Sequence, residues 1–517
     1  MATQEDHEKR LHWTGGGWNS EPVWPREPDV EVIKLLVKAR LGAQLPADFQ
    51  DASPKVTFFA EGGFNKLYRI SFMGHDTDYL LRVTLPIEPF YKTESEVATI
   101  TYLRANTTIP VPRVFAWSSN SNNELTFEWI LMEKLNGVPL YDLWPRKVPW
   151  ERKLELTSTV AGFVEQLRNC RFDRIGGLYF QSAIDCGTRN AEKKVVSEAA
   201  FLGSPAAKHP DDTIVVNHSD TVRSSIEEAD LHPLINVGTM DQQQHELRAS
   251  ATIGPLPATQ DTMSTKCGEG VQFRVGRVFD PVFIRGSRLY LPGNRGPYQS
   301  SLEWLSAEIQ IQLEWIKRDP VEDDEDYDDD FAEEAPIMER LFQEYLDILP
   351  KVYKTGEETD YTLHHSDLNA ANILVDPKTL EITGIVDWEM INVVPAWRAS
   401  EQPKFLGYMK PDDDEEPPLP SNDVNEEHIS WELRDRWEHK ALRSRFHKAT
   451  ARGRGGSNDE FDETKETKAK LDCYFFLSQL TGMWSWSEKW LKIYKRTGRS
   501  VNQADWTHPT YSTDEET

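Results

Sequence analysis

The sequence predicts an α+β chain of two lobes, a small antiparallel β-rich lobe followed by a larger helical lobe. Apolar residues alternate over 68–72 and again over 81–85, and the turn signal Gly-His-Asp at 74–76 lies between them, which is typical of a β-hairpin. Apolar residues at helical spacing over 156–167 indicate that helices take over beyond about residue 140. We therefore expect two lobes with a cleft between them.

Composition limits the classes of protein to which the chain can belong. Its 85 Asp and Glu outnumber its 58 Lys and Arg, and the net charge of -27 opposes binding to nucleic acid or to anionic membranes. Four scattered cysteines without CxxC spacing argue against a disulfide framework and a zinc site. The first twenty residues match neither a signal peptide nor a transit peptide, and no apolar run approaches a membrane span. We expect an intracellular, cytoplasmic protein.

Periodicity and composition divide the chain into seven segments. Abundant Ser, Thr, Pro and Gln with few aromatic residues predict a mostly disordered insert over 186–270. The acidic run from Glu322 to Glu334 is better explained as a solvated loop than as a metal site. A Trp-rich helix is predicted from about Ala469 to Tyr494. The segments are an N-terminal arm with a short helix (1–50), the β-rich N-lobe (51–135), the start of the helical C-lobe (136–185), the insert (186–270), the rest of the C-lobe with its catalytic and metal-binding loops (271–410), an acidic, partly ordered excursion (411–465), and a C-terminal helix and tail (466–517).

One stretch, from Leu363 to Glu389, has the arrangement that phosphoryl transfer requires. It contains His365-x-Asp367-x4-Asn372, then an apolar strand, a turn, and a return strand that ends at Asp387. The hairpin brings the carboxylate of the return strand back beside the loop from which the first strand leaves. In phosphoryl transfer the protein mainly positions a nucleophile and neutralises phosphate charge, so a polar loop beside a carboxylate is a suitable site.

The residue types in this stretch suit different roles. Asp367 would accept or orient the proton of an acceptor hydroxyl. Asn372 and Asp387 offer the hard oxygen ligands that Mg²⁺ prefers. His365 would hold the loop through hydrogen bonds. The alternative is purely structural, in which His365 and Asp367 cap a turn and Asp387 ends a strand.

The stretch resembles the catalytic loop and metal-binding aspartate of protein kinases. It is more similar to the aminoglycoside phosphotransferase family, in which Trp and Glu replace the Phe and Gly of the kinase metal motif, as in Asp387-Trp388-Glu389. The resemblance spans about residues 55–410, interrupted by the insert. Fungal-type members look similar also in SEVATITYLRANTTIPVPRV and RGPYQS, and some of them are grouped as altered-inheritance-of-mitochondria proteins. The resemblance implies a two-lobed, protein-kinase-like fold that uses ATP and Mg²⁺.

The family pattern also assigns nucleotide-binding residues to the N-lobe. Gly62, Gly63 and Asn65 match the loop that covers the phosphates, where missing Cβ atoms allow a close backbone approach. A plain β-turn explains two glycines equally well. The hinge between the lobes is expected at Leu131–Leu135, where backbone groups around Glu133 would meet adenine.

Arg82 occupies the place where kinases carry the lysine that pairs with the phosphates. The resemblance implies Glu96, on the following helix, as its ion-pair partner, with Glu94 as the second choice. Arginine is not equivalent to lysine in such a pocket, because its guanidinium is wider and forked. The alternative is that Arg82 is an ordinary solvent-facing strand residue.

The resemblance implies an ATP- and Mg²⁺-dependent phosphotransferase that acts on a hydroxyl of a small molecule. An acidic surface suits a cationic acceptor, although such charge also serves simple solubility. The alternative is a kinase-like pseudoenzyme that acts as a nucleotide-binding or protein-interaction scaffold, with Arg82 and the long inserts as signs of drift. The acceptor leaves no recognisable signature in the sequence. The family name points to mitochondria, whereas the N-terminus lacks a transit pattern.

Overall fold

The structure is a computed structural model that describes the following residues: 11–14, 21–42, 45–144, 146–181, 266–267, 271–317, 329–354, 356, 358–407, 427–453 and 465–498. Two short strands and a helix come first in the chain: β1 (Trp13–Thr14), β2 (Glu21–Pro22) and α1 (Val30–Leu41). Asp29 caps α1 by accepting a hydrogen bond from the Glu31 N–H at 2.8 Å. The apolar face of α1 packs on the N-lobe sheet.

The N-lobe is a five-stranded antiparallel sheet with one helix. Its elements are β3 (Lys55–Glu61), β4 (Asn65–Ser71), β5 (Tyr79–Thr84), α2 (Tyr91–Asn106), β6 (Val114–Ser118) and β7 (Glu128–Glu133). The strand order is β3-β4-β5-β7-β6. One face of the sheet packs on α1, and α2 packs into the larger core that continues into the second lobe. One face of the sheet thus packs in a core with α1, and the other face packs in the core that continues into the second lobe.

The C-lobe contains most of the helices and two sheets of its own. Its first elements are β8 (Val138–Pro139), α3 (Trp150–Asn169), β9 (Arg171–Phe172), β10 (Gly176–Phe180), β11 (Lys266–Cys267), β12 (Val271–Gly276), α4 (Pro281–Ile284), α5 (Ser301–Ile316) and α6 (Asp329–Val352). Its later elements are β13 (Tyr361–His364), β14 (Ile373–Val375), β15 (Ile382–Ile385), β16 (Asn392–Pro395), α7 (Ala396–Ala399), α8 (Glu427–Gly453), α9 (Lys465–Ser478) and α10 (Trp484–Thr497). The predicted α+β, two-lobed fold class is confirmed.

The sheets of the C-lobe position the polar loop. One sheet has the order β11-β12-β10-β16-β13-β9, and a second has the order β15-β14-β8. Strand β13 leads into the loop and β14 leads out of it, while β15 returns the chain beside β14. Among the described residues, no helix combines the length and the apolar character that a bilayer span requires.

The structure corrects two predictions, the single C-terminal helix and the acidic loop, and adds ordered elements within two other predicted segments. Within the predicted excursion over 411–465, helix α8 extends over 27 residues, because the breaker residues of that segment lie outside a run of charged helix formers. The predicted single helix from Ala469 to Tyr494 is two helices, α9 and α10, separated by a turn that contains Gly482. The last residues of the acidic run belong to α6. Lys266–Cys267 form a strand, so that strand pairing begins before residue 270; the other residues of the predicted insert lie outside the described part of the chain.

Candidate active site

The polar loop lies between β13 and β14 and is tied to the end of β15. The Val386 N–H donates to the Asn372 carbonyl at 3.0 Å, so Asp387 follows directly on the strand pair. His365 Nδ1 accepts from the Asp367 N–H at 3.3 Å, and Nε2 lies 3.2 Å from the Val386 carbonyl. Burial lowers the pKa of His365 to about 4, so the ring is neutral near pH 7 with its proton assigned to Nε2. His365 therefore ties the loop to the return strand.

Asp367 lies at the centre of the loop. Asn369 Nδ2 donates to its Oδ2 at 3.0 Å, and Asn372 Nδ2 donates to the same oxygen at 3.1 Å. Lys404 Nζ lies 2.8 Å from Oδ1. Because the Asn372 amide nitrogen also donates to the Asp367 carbonyl at 2.8 Å, its amide oxygen is directed away from Asp367. This oxygen is the group that the sequence assigns to Mg²⁺.

Asp387 has an uncommon backbone conformation for its residue type. Its φ of 64° lies in the left-handed region, where residues with a Cβ are strained, and such strain concentrates at functional sites. Burial raises the pKa of Asp387 to about 6, and the negative charge of Glu389 adds to that effect. The side chain is thus a buried carboxylate close to other acids, which a bound cation would stabilise in its charged form.

Glu389 brings both lobes together in one cluster of charges. Its Oε2 lies 2.6 Å from Lys92 Nζ, accepts from Asn65 Nδ2 at 2.8 Å, and lies 3.6 Å from Arg82 Nη1. Burial alone would raise the pKa of Glu389, but Lys92 and Arg82 outweigh it and hold the pKa at about 2. Three N-lobe side chains therefore converge on one carboxylate of the metal-motif segment.

Arg82 and Glu96 form an ion pair that joins strand β5 to helix α2. The Arg82 side chain is 5% exposed and that of Glu96 is 3% exposed, so Arg82 is not a solvent-facing strand residue. Glu94, the second choice as partner, instead accepts hydrogen bonds from Ser119 Oγ at 2.7 Å and Trp117 Nε1 at 3.2 Å. The structure thus places Arg82 beside Glu96 and turns Glu94 toward strand β6.

The predicted glycine loop is an open turn between β3 and β4. No other part of the described chain lies within 4 Å of a Cβ built on Gly62 or Gly63, and neither has a positive φ. The chain itself therefore does not require glycine here, whereas a ligand approaching the turn would benefit from it. Asn65, the first residue of β4, also accepts a hydrogen bond from Thr84 Oγ1 at 2.9 Å. The Asn65 side chain therefore points into the cluster of charges around Glu389.

Glu133 is not brought into this cluster. Its N–H donates to the Arg113 carbonyl at 2.8 Å, and its Oε2 accepts from the Arg113 N–H at 3.1 Å. The backbone N–H that the sequence offers to adenine is therefore already paired within the N-lobe sheet. A hydrogen bond to a nucleotide at this position would have to come from another residue of the predicted hinge.

Sequence reasoning missed Lys92 and Lys404. Lys404 lies 37 positions beyond Asp367, and no spacing rule connects the two. Lys92 does carry a signal, because it precedes Glu96 by four residues and so shares one face of helix α2 with it. That spacing alone does not reveal that the face is directed toward Glu389 of the C-lobe.

A small cavity adjoins the loop on the C-lobe side. Its lining includes Ser366, next to Asp367, together with Asp280, Asn392 and Arg398, and its volume is about 30 Å³. Burial raises the pKa of Asp280, whose side chain also accepts from the Val282 N–H at 2.9 Å. The cavity therefore has space for about one water molecule beside the loop.

The donor set can be tested for its fit to Mg²⁺. Asn372 and Asp387 are oxygen donors at the ends of paired strands, and Asp387 is buried close to other acids. Among the described residues, no group of three or more His, Cys, Asp or Glu side chains could hold a metal by itself. A site with few protein ligands fits Mg²⁺, which usually keeps waters and binds together with substrate phosphates.

Comparison with known sequences concerns the family of the chain. The Phosphotransferase enzyme family (APH) matches residues 294–397, a range that contains the whole polar loop and Asp387. The predicted resemblance to the aminoglycoside phosphotransferase family is confirmed. A subtelomeric hrmA-associated cluster protein of Aspergillus fumigatus is 25% identical over 380 residues, which is 72% of this chain and 65% of that protein. Altered inheritance of mitochondria protein 9, mitochondrial, of Candida dubliniensis is 30% identical over 139 residues, or 25% of this chain and 22% of that one.

The chain therefore spans about 65% of the length of the Aspergillus relative. Among solved structures, spectinomycin phosphotransferase APH(9)-Ia in complex with ADP and spectinomycin aligns with 88% of this chain and 95% of its own, at 10% identity and a TM-score of 0.31. Choline kinase from Cryptosporidium parvum aligns with 90% of this chain and 95% of its own, at 12% identity and a TM-score of 0.38. TM-scores below 0.5 do not support any statement about the geometry of the site. That geometry is described from the contacts within this chain alone.

Proposed function

We propose that the protein is an ATP- and Mg²⁺-dependent phosphotransferase that acts on a hydroxyl of a small molecule. The observation that carries the proposal is that side chains of both lobes converge on the segment from Asp387 to Glu389, beside the polar loop. Asp367 and Asn372 lie beside the return strand that presents Asp387, and Arg82 and Lys92 reach the same segment from the N-lobe. Phosphoryl transfer requires such a site, with carboxylate and amide oxygens next to cations in a cleft.

The roles of the residues follow from their surroundings. Asp367, whose side chain is 43% exposed, would accept or orient the proton of the acceptor hydroxyl. His365 and Asn372 hold that carboxylate in place through the loop. Mg²⁺, when held by Asn372 and Asp387, would neutralise phosphate charge. The acceptor would approach Asp367 from its exposed side.

The ion pair between Lys404 and Asp367 favours a second candidate, a kinase-like pseudoenzyme that serves as a scaffold. A cation 2.8 Å from Asp367 Oδ1 competes with an acceptor hydroxyl for the carboxylate. Yet both side chains are at least 40% exposed, and such surface pairs contribute only about 0–1 kcal/mol. The pair therefore opens at little cost in free energy, which is why we favour the enzyme.

A screen of the purified chain tests the proposal. Binding of Mg²⁺-ATP is measured first, and ATP consumption is then followed over a library of small hydroxyl compounds, with Asp367→Asn as the matched control. An enzyme should consume ATP with at least one acceptor, and the control should lose that activity while it keeps nucleotide affinity. A scaffold would bind nucleotide and transfer phosphate to no acceptor. A chain that binds no nucleotide would refute both the enzyme and the nucleotide-binding scaffold, and would leave the protein-interaction scaffold.

The subcellular location of the protein is also part of the proposal. The mitochondrial name of the Candida dubliniensis relative belongs to a protein that shares only 25% of this chain. The cytoplasm, which is the location expected from the sequence analysis, is the alternative. Imaging of the full chain with a C-terminal fluorescent fusion would decide between the two, because mitochondrial import would place the signal inside the organelle.

A further inference from the structure

The N-lobe carries a lysine close to the metal motif, although not at the strand position expected for it. On β5 that position holds Arg82, whose guanidinium is paired with Glu96. The nearby lysine is Lys92, the second residue of helix α2. Its Nζ lies 2.6 Å from Glu389 Oε2 and 3.0 Å from Asn65 Oδ1.

The burial of Lys92 requires an explanation. Its side chain is 1% exposed, and lysine is rarely so buried unless it is paired. A buried ion pair is a weak source of stability, because removing two charges from water costs about as much as their attraction returns. Stability alone is therefore a poor reason to place an ammonium at this position.

The partners of Lys92 indicate a reason. Asn65 directly follows the open turn that contains Gly62 and Gly63, and Glu389 lies two residues beyond Asp387. One ammonium group thus contacts both the loop that would cover the phosphates and the segment that would hold the metal. A second buried lysine provides a contrast, since Lys153 lies 2.5 Å from Glu438, over the ring of Trp144, and all its described partners belong to the C-lobe.

We propose that Lys92 supplies the ammonium that pairs with the nucleotide phosphates, and that Glu389 holds this ammonium until a phosphate oxygen replaces its carboxylate. The inference rests on the proposed function, because it assigns a residue to the same nucleotide site. Glu389 is 15% exposed and Lys92 is 1% exposed, so the carboxylate of Glu389 covers the ammonium and must move aside before a phosphate oxygen can reach it. Exchange of one anion for another leaves the buried ammonium paired throughout.

This assignment gives Arg82 a different role. Its pair with Glu96 fixes helix α2 against strand β5, and that helix carries Lys92. Arg82 is thus a positioning residue, and the arginine at the lysine position does not by itself argue against catalysis.

Labelling of the unmodified full chain tests the inference without any substitution. The probe is ATP that carries an acyl group on its terminal phosphate. An amine close to the phosphates attacks the acyl carbon, an amide forms, the bond between acyl group and phosphate breaks, and ATP leaves while the amine releases its proton. Mass spectrometry should find Lys92 acylated, with less label in excess Mg²⁺-ATP, and Lys153 unlabelled. Label elsewhere but not on Lys92 would overturn the inference.

Two matched variants, Lys92→Met and Lys153→Met, provide the second test. Each removes the cation of a buried ion pair, and calorimetric titration with ATP and with adenosine separates phosphate binding from adenine binding. Lys92→Met should weaken ATP binding by about tenfold or more, the loss expected for a hydrogen bond between charged groups. Adenosine affinity should stay within about twofold, and Lys153→Met should change neither affinity.

The outcomes distinguish this inference from the proposed function. Equal losses for ATP and adenosine, or unchanged ATP affinity in Lys92→Met, would refute the role of Lys92 alone. If Lys92→Met does not fold, the labelling of the unmodified chain decides. If the unmodified chain binds no ATP, the proposed function and the inference fail together.

Discussion

The ion pair between Arg82 and Glu96 can be broken from one side by Glu96→Gln. Both side chains are at most 5% exposed, and removing one partner of such a pair typically costs about 3–5 kcal/mol, because the other charge stays buried without compensation. Glu389 Oε2 remains 3.6 Å from Arg82 Nη1 and supplies part of the lost attraction. We therefore expect the free energy of unfolding to fall by about 3 kcal/mol, the lower end of that range.

Urea denaturation followed by tryptophan fluorescence measures this loss. The double variant Arg82→Met, Glu96→Met removes both charges of the pair, whereas Lys92 still pairs with Glu389 at 2.6 Å, and it should be more stable than Glu96→Gln. Asp360→Asn is the control, because Asp360 pairs with Arg171 at a site where both side chains are more than 40% exposed, and it should cost at most about 1 kcal/mol. A loss of less than about 1 kcal/mol in Glu96→Gln would refute the reasoning, as would a double variant less stable than the single one.

Two further predictions concern the cavity and a buried acid. Asp280→Asn keeps the cap on helix α4, because asparagine also caps helices. Because the cavity that Asp280 lines has space for about one water molecule, the KM for the acceptor and the ATP affinity should both stay within about twofold, and a rise of about tenfold in the KM would contradict this view of the cavity. Burial raises the pKa of Glu128 from 4.5 to about 8. The unfolded chain therefore releases this proton first, and the stability contributed by the group falls as pH rises from about 4.5 to about 8. In thermal unfolding, Glu128→Gln should gain stability relative to the unmodified chain across this pH window. A difference in stability between the two that does not change with pH would contradict the raised pKa of Glu128.

The sequence predicts the local parts of the site well, for a physical reason. Strand alternation, the turn after the first hairpin and the loop from His365 to Asn372 depend on neighbouring residues, whose preferences are written in the local pattern. The return of Asp387 to that loop follows from a short hairpin. The α+β fold class follows in the same way from the change of period along the chain.

Contacts between distant residues explain what the sequence does not reveal. Lys92 and Glu389 are 297 positions apart, and only the closure of the two lobes brings them together. The pair of Lys404 and Asp367 likewise depends on the path of the chain after β16. Helix α8 was missed for a different reason: composition averaged over 411–465 hides a continuous run of helix formers between two segments rich in breaker residues.

Calorimetric titration of Mg²⁺-ATP into the unmodified chain, Asp387→Asn and Asp367→Asn tests the central claim most directly. Asp387→Asn removes a negative oxygen ligand and should weaken Mg²⁺-dependent binding by about tenfold or more. Asp367→Asn should keep the affinity within about threefold, because its side chain would face the acceptor and not the nucleotide. Equal, small effects of both substitutions would contradict the account and would mean that the two carboxylates are structural.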